Sequence, residues 1–249
     1  MIRSTREGHV ATITLADPDR HNALDHAAIN ALIEHLDDVT QSDGRCLVLT
    51  GEGRTFCAGA RLDQLTSGTL AENPFAPLCE RLETFPLPTI AALQGSVFGA
   101  GVEMALACDF RIGVEGMKAA VPAAEFGIHY TQAGITRVVS KLGPQVARQV
   151  FLMAERFEAE ELLAVGYLDD LVAPGSLEQK SAVLAQRLAA LSPLAVQGMK
   201  ASILAATRGA TPADISAAEA RIRACFDSTD HREGMAARAE KRAPAFKAR

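Results

Sequence analysis

Along the chain the apolar positions change period several times, from strand to helix and back. His9 to Leu15 (HVATITL) alternates apolar and polar residues and is β-branched, which predicts a half-buried strand. Glu7-Gly8 before it reads as the turn of an opening hairpin. Ile29, Leu32, Ile33 and Leu36 then recur at helical spacing, with Asp25 at the N-cap and Leu24 and Ile29 placed for a hydrophobic staple, so a helix runs to about Asp38. Cys46 to Thr50 (CLVLT) closes on Gly51-Glu52-Gly53, the pattern of a buried parallel strand. The same grammar returns with a helix from Ala76 to Phe85 stopped by Pro86 and Pro88, a strand from Thr89 to Leu93, and a turn at Gln94-Gly95. Thr66 to Pro77 reads as a mobile loop. From Gly143 onward strands nearly vanish, and Ala- and Leu-rich helical segments follow at 145–153, 158–164, 176–190, 194–206 and 212–227. This order predicts an α/β fold with a mainly parallel sheet system and a helical C-terminal region.

Composition narrows the function. With 249 residues, 48% of them hydrophobic and 22% charged, the chain can build its own core without disulfides or metal. A net charge of -5 offers no basic field to a phosphate backbone, so no nucleic-acid partner is expected. The apolar stretch from Leu87 to Phe110 contains Gln94, Glu103, Pro88 and three glycines, which argues against a membrane span. MIRSTREGHV has arginines with no apolar run behind them, and five cysteines without C-x-x-C spacing suit reduced thiols, so a cytoplasmic location is expected. No H-E-x-x-H or similar spacing occurs among the histidines, and no metal is expected.

Two strand ends carry similar small-residue turns, Phe56-Cys57-Ala58-Gly59-Ala60 and Phe98-Gly99-Ala100-Gly101-Val102. Small residues let a ligand approach the backbone, and the first N–H groups of a helix have no internal partner. Tight helix–strand packing and an anion site are both open from spacing alone. Glu103 sits in the apolar run VEMALAC, where burial would raise its pKa toward the range useful for proton exchange; a satisfied structural acid is the other reading. A dinucleotide fingerprint fails because Met104 stands at the sixth position and Gly99 comes too far after TIAAL. Cys57 and Ser96 lack the surroundings of a nucleophile.

FCAGARL and IAALQGSVFGAGVEMALACDF resemble the two signature segments of the enoyl-CoA hydratase/isomerase (crotonase) superfamily. DPDRHNAL at 17–24 and HREGMAARAEKRAPAFKAR at the end extend the resemblance over nearly the whole chain. It implies a spiral of repeated β-β-α units over residues 1–192 carrying the acyl-CoA site, and a helical assembly region over 193–249. It also implies an acyl-CoA thioester partner, no cofactor apart from the coenzyme A carried by the substrate, and a homotrimer or hexamer. By the same match, the backbone N–H groups of Ala60 and Ala100 form an oxyanion hole, Glu103 is an acid/base, and Ala23, Ala58, Gly59, Ala60, Arg61 and Leu62 line the CoA arm. Lys241 and Phe246 fall near the nucleotide.

The pattern breaks in four places, the first at Ala100, where the family usually has glycine and alanine can still donate its N–H. Hydratases of the family use a second glutamate directly after a proline, and here Ala123 follows Pro122. Glu125, two residues on, shares a face with position 123 if the segment is extended and turns away if it is helical. His129 and Tyr130 stand where the family has an apolar residue and a proline, and either could carry a proton. Arg61 replaces the usual aspartate of the first motif. The resemblance therefore implies an enolate-stabilising acyl-CoA enzyme, with a single-carboxylate isomerase or a non-catalytic acyl-CoA binder as the alternatives.

Overall fold

The computed structural model describes residues 1–61 and 75–247. The chain opens with the predicted hairpin, β1 (Ile2–Glu7) and β2 (Val10–Leu15), turned at Gly8. On β2, Ala11, Ile13 and Leu15 are buried while the residues between them are not, as the alternation requires. Helix α1 (His26–Gln41) starts where Asp25 accepts a 2.9 Å hydrogen bond from the Ala28 N–H, and buries Ile29, Leu32, Leu36 and Val39.

Three strand pairs follow, β3 (Cys46–Gly51) with β4 (Thr55–Cys57), β5 (Thr89–Leu93) with β6 (Ser96–Phe98), and β7 (Phe110–Val114) with β8 (Lys118–Ala120). With β9 (Arg156–Glu158) and β10 (Asp170–Val172) from later in the chain, the first strand of each pair joins a six-stranded sheet in the order β1-β2-β3-β5-β7-β10, and the second joins a four-stranded sheet in the order β4-β6-β8-β9. A helix follows each pair: α2 (Phe75–Glu83), α3 (Ala100–Ala107) and α4 (Gln132–Leu152). Each β-β-α unit therefore places one short second strand, and the turn after it, beside its counterparts in the neighbouring units. Pairing within the repeat is parallel, with Leu47 opposite Thr89 and Ile90 opposite Phe110 in the large sheet, and Cys57 opposite Val97 in the small one.

Several expectations are corrected. Strands return after Gly143 as β9 (Arg156–Glu158), which pairs antiparallel with β8, and β10 (Asp170–Val172), which pairs parallel with β7. They have three residues each, too few to show a period in the sequence. The first helix after the strands begins at Gln132, not near 145, and breaks at Gly143, whose φ of 82° ends one helical run before Pro144 starts the next. Ser96–Phe98 forms a strand immediately before Gly99, so the second glycine turn does leave a strand end. Most of the predicted loop lies outside the described residues, while Phe75 to Pro77 belong to the first turn of α2. Past α5 (Ala159–Ala164), α6 (Leu177–Ala189) lies across β3, β5 and β7. Helices α7 (Pro193–Arg208), α8 (Pro212–Asp227) and α9 (Thr229–Glu240) complete the chain, the last of them without a counterpart in the sequence-based expectation. No single helix among the described residues is long and apolar enough to cross a membrane.

Asp25 does two things at once, capping α1 and receiving the Arg61 guanidinium at 3.2 Å. Asp25→Ala is expected to destabilise the protein by about 0.5–2 kcal/mol, read as a lower urea midpoint at unchanged slope.

Candidate active site

The two small-residue turns lie against each other. A Cβ on Gly59 would stand 2.9 Å from the Ala100 nitrogen, and one on Gly101 would stand 2.7 Å from the Cys57 carbonyl oxygen. Gly59 also adopts φ +83°, a conformation open to glycine and strained for other residues. Both positions are thus glycine for a definite reason, close backbone approach between β4 and α3.

The first turn is laced to the segment before α1. Ala58 N–H donates to the His21 carbonyl at 3.0 Å, Leu24 N–H donates to the Gly59 carbonyl at 2.8 Å, and Arg61 N–H donates to the Leu24 carbonyl at 3.3 Å. Asn22, 1% exposed, donates to the carbonyls of Glu52 and Thr55 at 2.9 and 2.7 Å and so braces that segment against the β3–β4 turn. The second turn is tied to β8, where Gly99 N–H donates to the Ala120 carbonyl at 2.9 Å. These bonds leave the N–H groups of Ala60 and Ala100 without a hydrogen-bond partner among the described residues. Both residues are half-buried. Ala100 is the first residue of α3, so its N–H belongs to the set that a helix cannot satisfy internally. Gly101→Ala would drive a methyl into the Cys57 carbonyl and part the turns, at an expected stability cost of about 1–3 kcal/mol, checked by thermal unfolding.

Glu103 lies one turn further along α3, on the face of Ala100. It is 3% exposed and forms an ion pair with Arg137 of α4. Burial pushes its carboxyl above the ordinary range, and the Arg137 charge opposes that shift without cancelling it. Arg137 is shared, because its second amino group stands 3.1 Å from Glu83 of α2. Glu83 in turn meets Arg208 of α7 at 2.6 Å, and Arg208 also holds Glu80 at 2.9 Å. Glu83 keeps a carboxyl below the usual range; burial alone would raise it, but its hydrogen bonds and charge contacts with the two arginines outweigh that. The sequence reading missed Arg137 and Glu83. Arg137 stands in a mixed run, QAGITRVVSKL, where a second charge at Lys141 makes it look like one of several surface residues.

Tyr130 stands beside Glu103, and the two share the space left by Gly134, where a Cβ would be 2.6 Å from Tyr130 Cε1 and 2.8 Å from Glu103 Oε2. Ala123 packs against the core as a half-buried residue. Glu125 does not share its face: Ala124–Phe126 forms a 3-10 turn, not extended chain, and Glu125 is exposed there. His129 is exposed too, its Nδ1 2.7 Å from the Tyr130 carbonyl oxygen. Arg61 is paired with Asp25 at the mouth of the first turn. Leu62 lies outside the described residues. Ala23 lines a 400 Å³ hollow with Leu15, Asp17, Arg20 and Asp25, next to the lacing segment. Phe246 lies elsewhere in the chain, on a groove with His9 and Arg45 that Ala58 to Arg61 do not line, and Arg45 donates to its carbonyl at 2.7 Å. Lys241 is exposed at the end of α9. A single chain thus does not place Phe246 on one groove with the first turn.

A spiral of β-β-α units whose short second strands feed paired small-residue turns defines the crotonase fold class. The profile of the enoyl-CoA hydratase/isomerase family matches residues 5–249, and the chain belongs to that family. It is accordingly an acyl-CoA enzyme of the hydratase/isomerase type. It is 32% identical over 250 residues to the 2,3-dehydroadipyl-CoA hydratase of Escherichia coli, covering 98% of each chain. It is 31% identical over 246 residues to a probable enoyl-CoA hydratase of Mycobacterium tuberculosis, covering 99% of each. Among solved structures, an enoyl-CoA hydratase from Bacillus anthracis superposes with a TM-score of 0.92 at 28% identity, covering 100% of this chain and 99% of that one.

Proposed function

We propose that the N–H groups of Ala60 and Ala100 receive the thioester oxygen of an acyl-CoA and hold the negative charge it acquires as an enolate forms, while Glu103 moves the proton. What carries this reading is the pair of N–H donors on abutting turns, without partners among the described residues, with a buried carboxylate one helical turn away. Fixed backbone dipoles at such a place need no reorganisation as charge develops. Ala58, Gly59 and Arg61 border the CoA arm and Ala23 its outer end. Glu125 has no part, since its turn is exposed. The chemistry needs no cofactor, because the thioester itself is the electron sink.

Ala123 favours a second reading, an acyl-CoA binder without turnover. The two separate in one assay series with the wild-type protein: hydration of crotonyl-CoA, isomerisation of a 3-enoyl-CoA, and affinity for saturated butyryl-CoA. Turnover of either unsaturated substrate is the expected result. Binding of butyryl-CoA with no turnover of either would overturn the enzymatic reading.

We also propose that residues 193–249 serve assembly into a trimer or hexamer. Met199, Ile203, Ile222 and Phe226 on α7 and α8 are each more than half exposed. Lys241 and Phe246 would then contact the nucleotide from an adjoining copy. Analytical ultracentrifugation would show a monomer if this is wrong. The five cysteines are free thiols, four of them buried, which suits a reducing, cytoplasmic setting.

A further inference from the structure

One buried polar group is left unused by the mechanism so far. The Tyr130 hydroxyl is sealed from solvent, and the polar group it faces is the Glu103 carboxylate, which it approaches without a well-formed hydrogen bond. The other tyrosine of the chain, Tyr167, is buried more completely, and its hydroxyl donates to the Val102 carbonyl at 3.1 Å. The fold therefore ties one phenol to a carbonyl and leaves the other facing a carboxylate. Buried polar groups are nearly always bonded, and an exception at a candidate site points to a role there.

Its placement is specific. The ring is held by Phe151, with centroids 4.9 Å apart and planes at 43°, and by the bare backbone of Gly134. Gly134 also admits the Glu103 carboxylate, so phenol and carboxylate occupy one recess. That recess lies one helical turn from the Ala100 N–H, and the segment leading to it from β8 carries Ala123 where a second acid is lacking.

Resting on the enolate reading above, we propose that Tyr130 is a second catalytic residue, whose O–H delivers to carbon the proton that the missing carboxylate would have supplied. Burial first, and then the neighbouring Glu103 charge, hold the phenol well above its ordinary pKa, so it is a neutral donor at physiological pH. The proton count closes. With a 3-enoyl-CoA, Glu103 removes a proton from the α-carbon and the electron pair passes to the thioester oxygen at Ala60 and Ala100. As the double bond re-forms between the α- and β-carbons, the γ-carbon takes the Tyr130 proton. The phenolate recovers a proton from the Glu103 carboxyl beside it, restoring both groups.

Tyr130→Phe keeps the ring and removes only the hydroxyl. Turnover of the substrate that the wild type accepts is expected to fall at least about 100-fold in kcat, with KM changed little. Exchange of the α-protons of butyryl-CoA with D2O, followed by NMR, needs only Glu103 and the two N–H groups, so it should survive in Tyr130→Phe and disappear in Glu103→Gln. Thermal stability should change little, since the ring keeps its packing on Phe151 and Gly134. Turnover near the wild-type rate would overturn the inference. So would loss of α-proton exchange or of stability, because either makes the hydroxyl a structural support. A wild-type protein that neither turns over an unsaturated acyl-CoA nor exchanges α-protons would instead sink the enolate reading, and Tyr130 with it.

Discussion

Arg137→Met is expected to destabilise the protein by about 3–5 kcal/mol, a large share of the roughly 5–15 kcal/mol that holds a typical domain together. The reason is what the substitution leaves behind. Arg137 is 4% exposed and is the only guanidinium that reaches both Glu103 and Glu83 among the described residues. Without it two carboxylates remain close together, one fully enclosed and the other 12% exposed at its side chain. Arg208 still neutralises Glu83 from the α7 side, so the stranded charge is chiefly that of Glu103.

The pH dependence separates this cause from lost packing. In the wild type Glu83 has a lowered pKa, so its contribution is present above the ordinary carboxylate range and is lost as pH falls through the folded value. Removing Arg137 raises both carboxyls, and a raised carboxyl favours the folded state at low pH. The deficit of Arg137→Met should therefore shrink between pH 7 and the carboxylate range, measured as urea midpoints. A packing defect would stay constant. Adding Glu103→Gln to Arg137→Met should recover much of the loss, because apolar or neutral replacement of both partners avoids the stranded charge.

The cluster shows where sequence reasoning ran out. Residues with a local pattern were legible: the alternation of β2, the Asp25 cap, the uninterrupted apolar strands β3 and β5, and the glycine turns. Gly59 and Gly101 could be seen as candidates for close approach, but not that they approach each other, since that contact is made by β4 and β6 pairing across the small sheet. Strands of three residues carry no measurable period, which hid β4, β6, β8, β9 and β10. The Ala124–Phe126 turn decided Glu125, and no feature of VPAAEFGI distinguishes a 3-10 turn from extended chain. Arg137 and Glu83 were invisible for a different reason. They come from helices 54 positions apart, and only the tertiary fold brings them to Glu103.

Glu103→Gln is expected to lower kcat by about 100- to 10,000-fold while leaving the protein at least as stable as the wild type near neutral pH. The amide keeps the shape of the carboxyl, and Arg137 keeps its contact with Glu83, so no charge is stranded. The Glu103 carboxyl is raised above its ordinary pKa by burial, which means the folded state resists its ionisation. For such a group stability falls as pH climbs from the ordinary carboxylate range toward the raised value, and the glutamine variant escapes that loss. Unfolding midpoints of the two proteins should therefore coincide in acid and separate, with the variant ahead, as pH approaches 7. If Glu103 moves the proton, the fold gives up stability to hold it there, beside two N–H groups without partners among the described residues. Equal kcat for Glu103→Gln and wild type would remove Glu103 from the chemistry and leave the ion pair with Arg137 as a purely structural one.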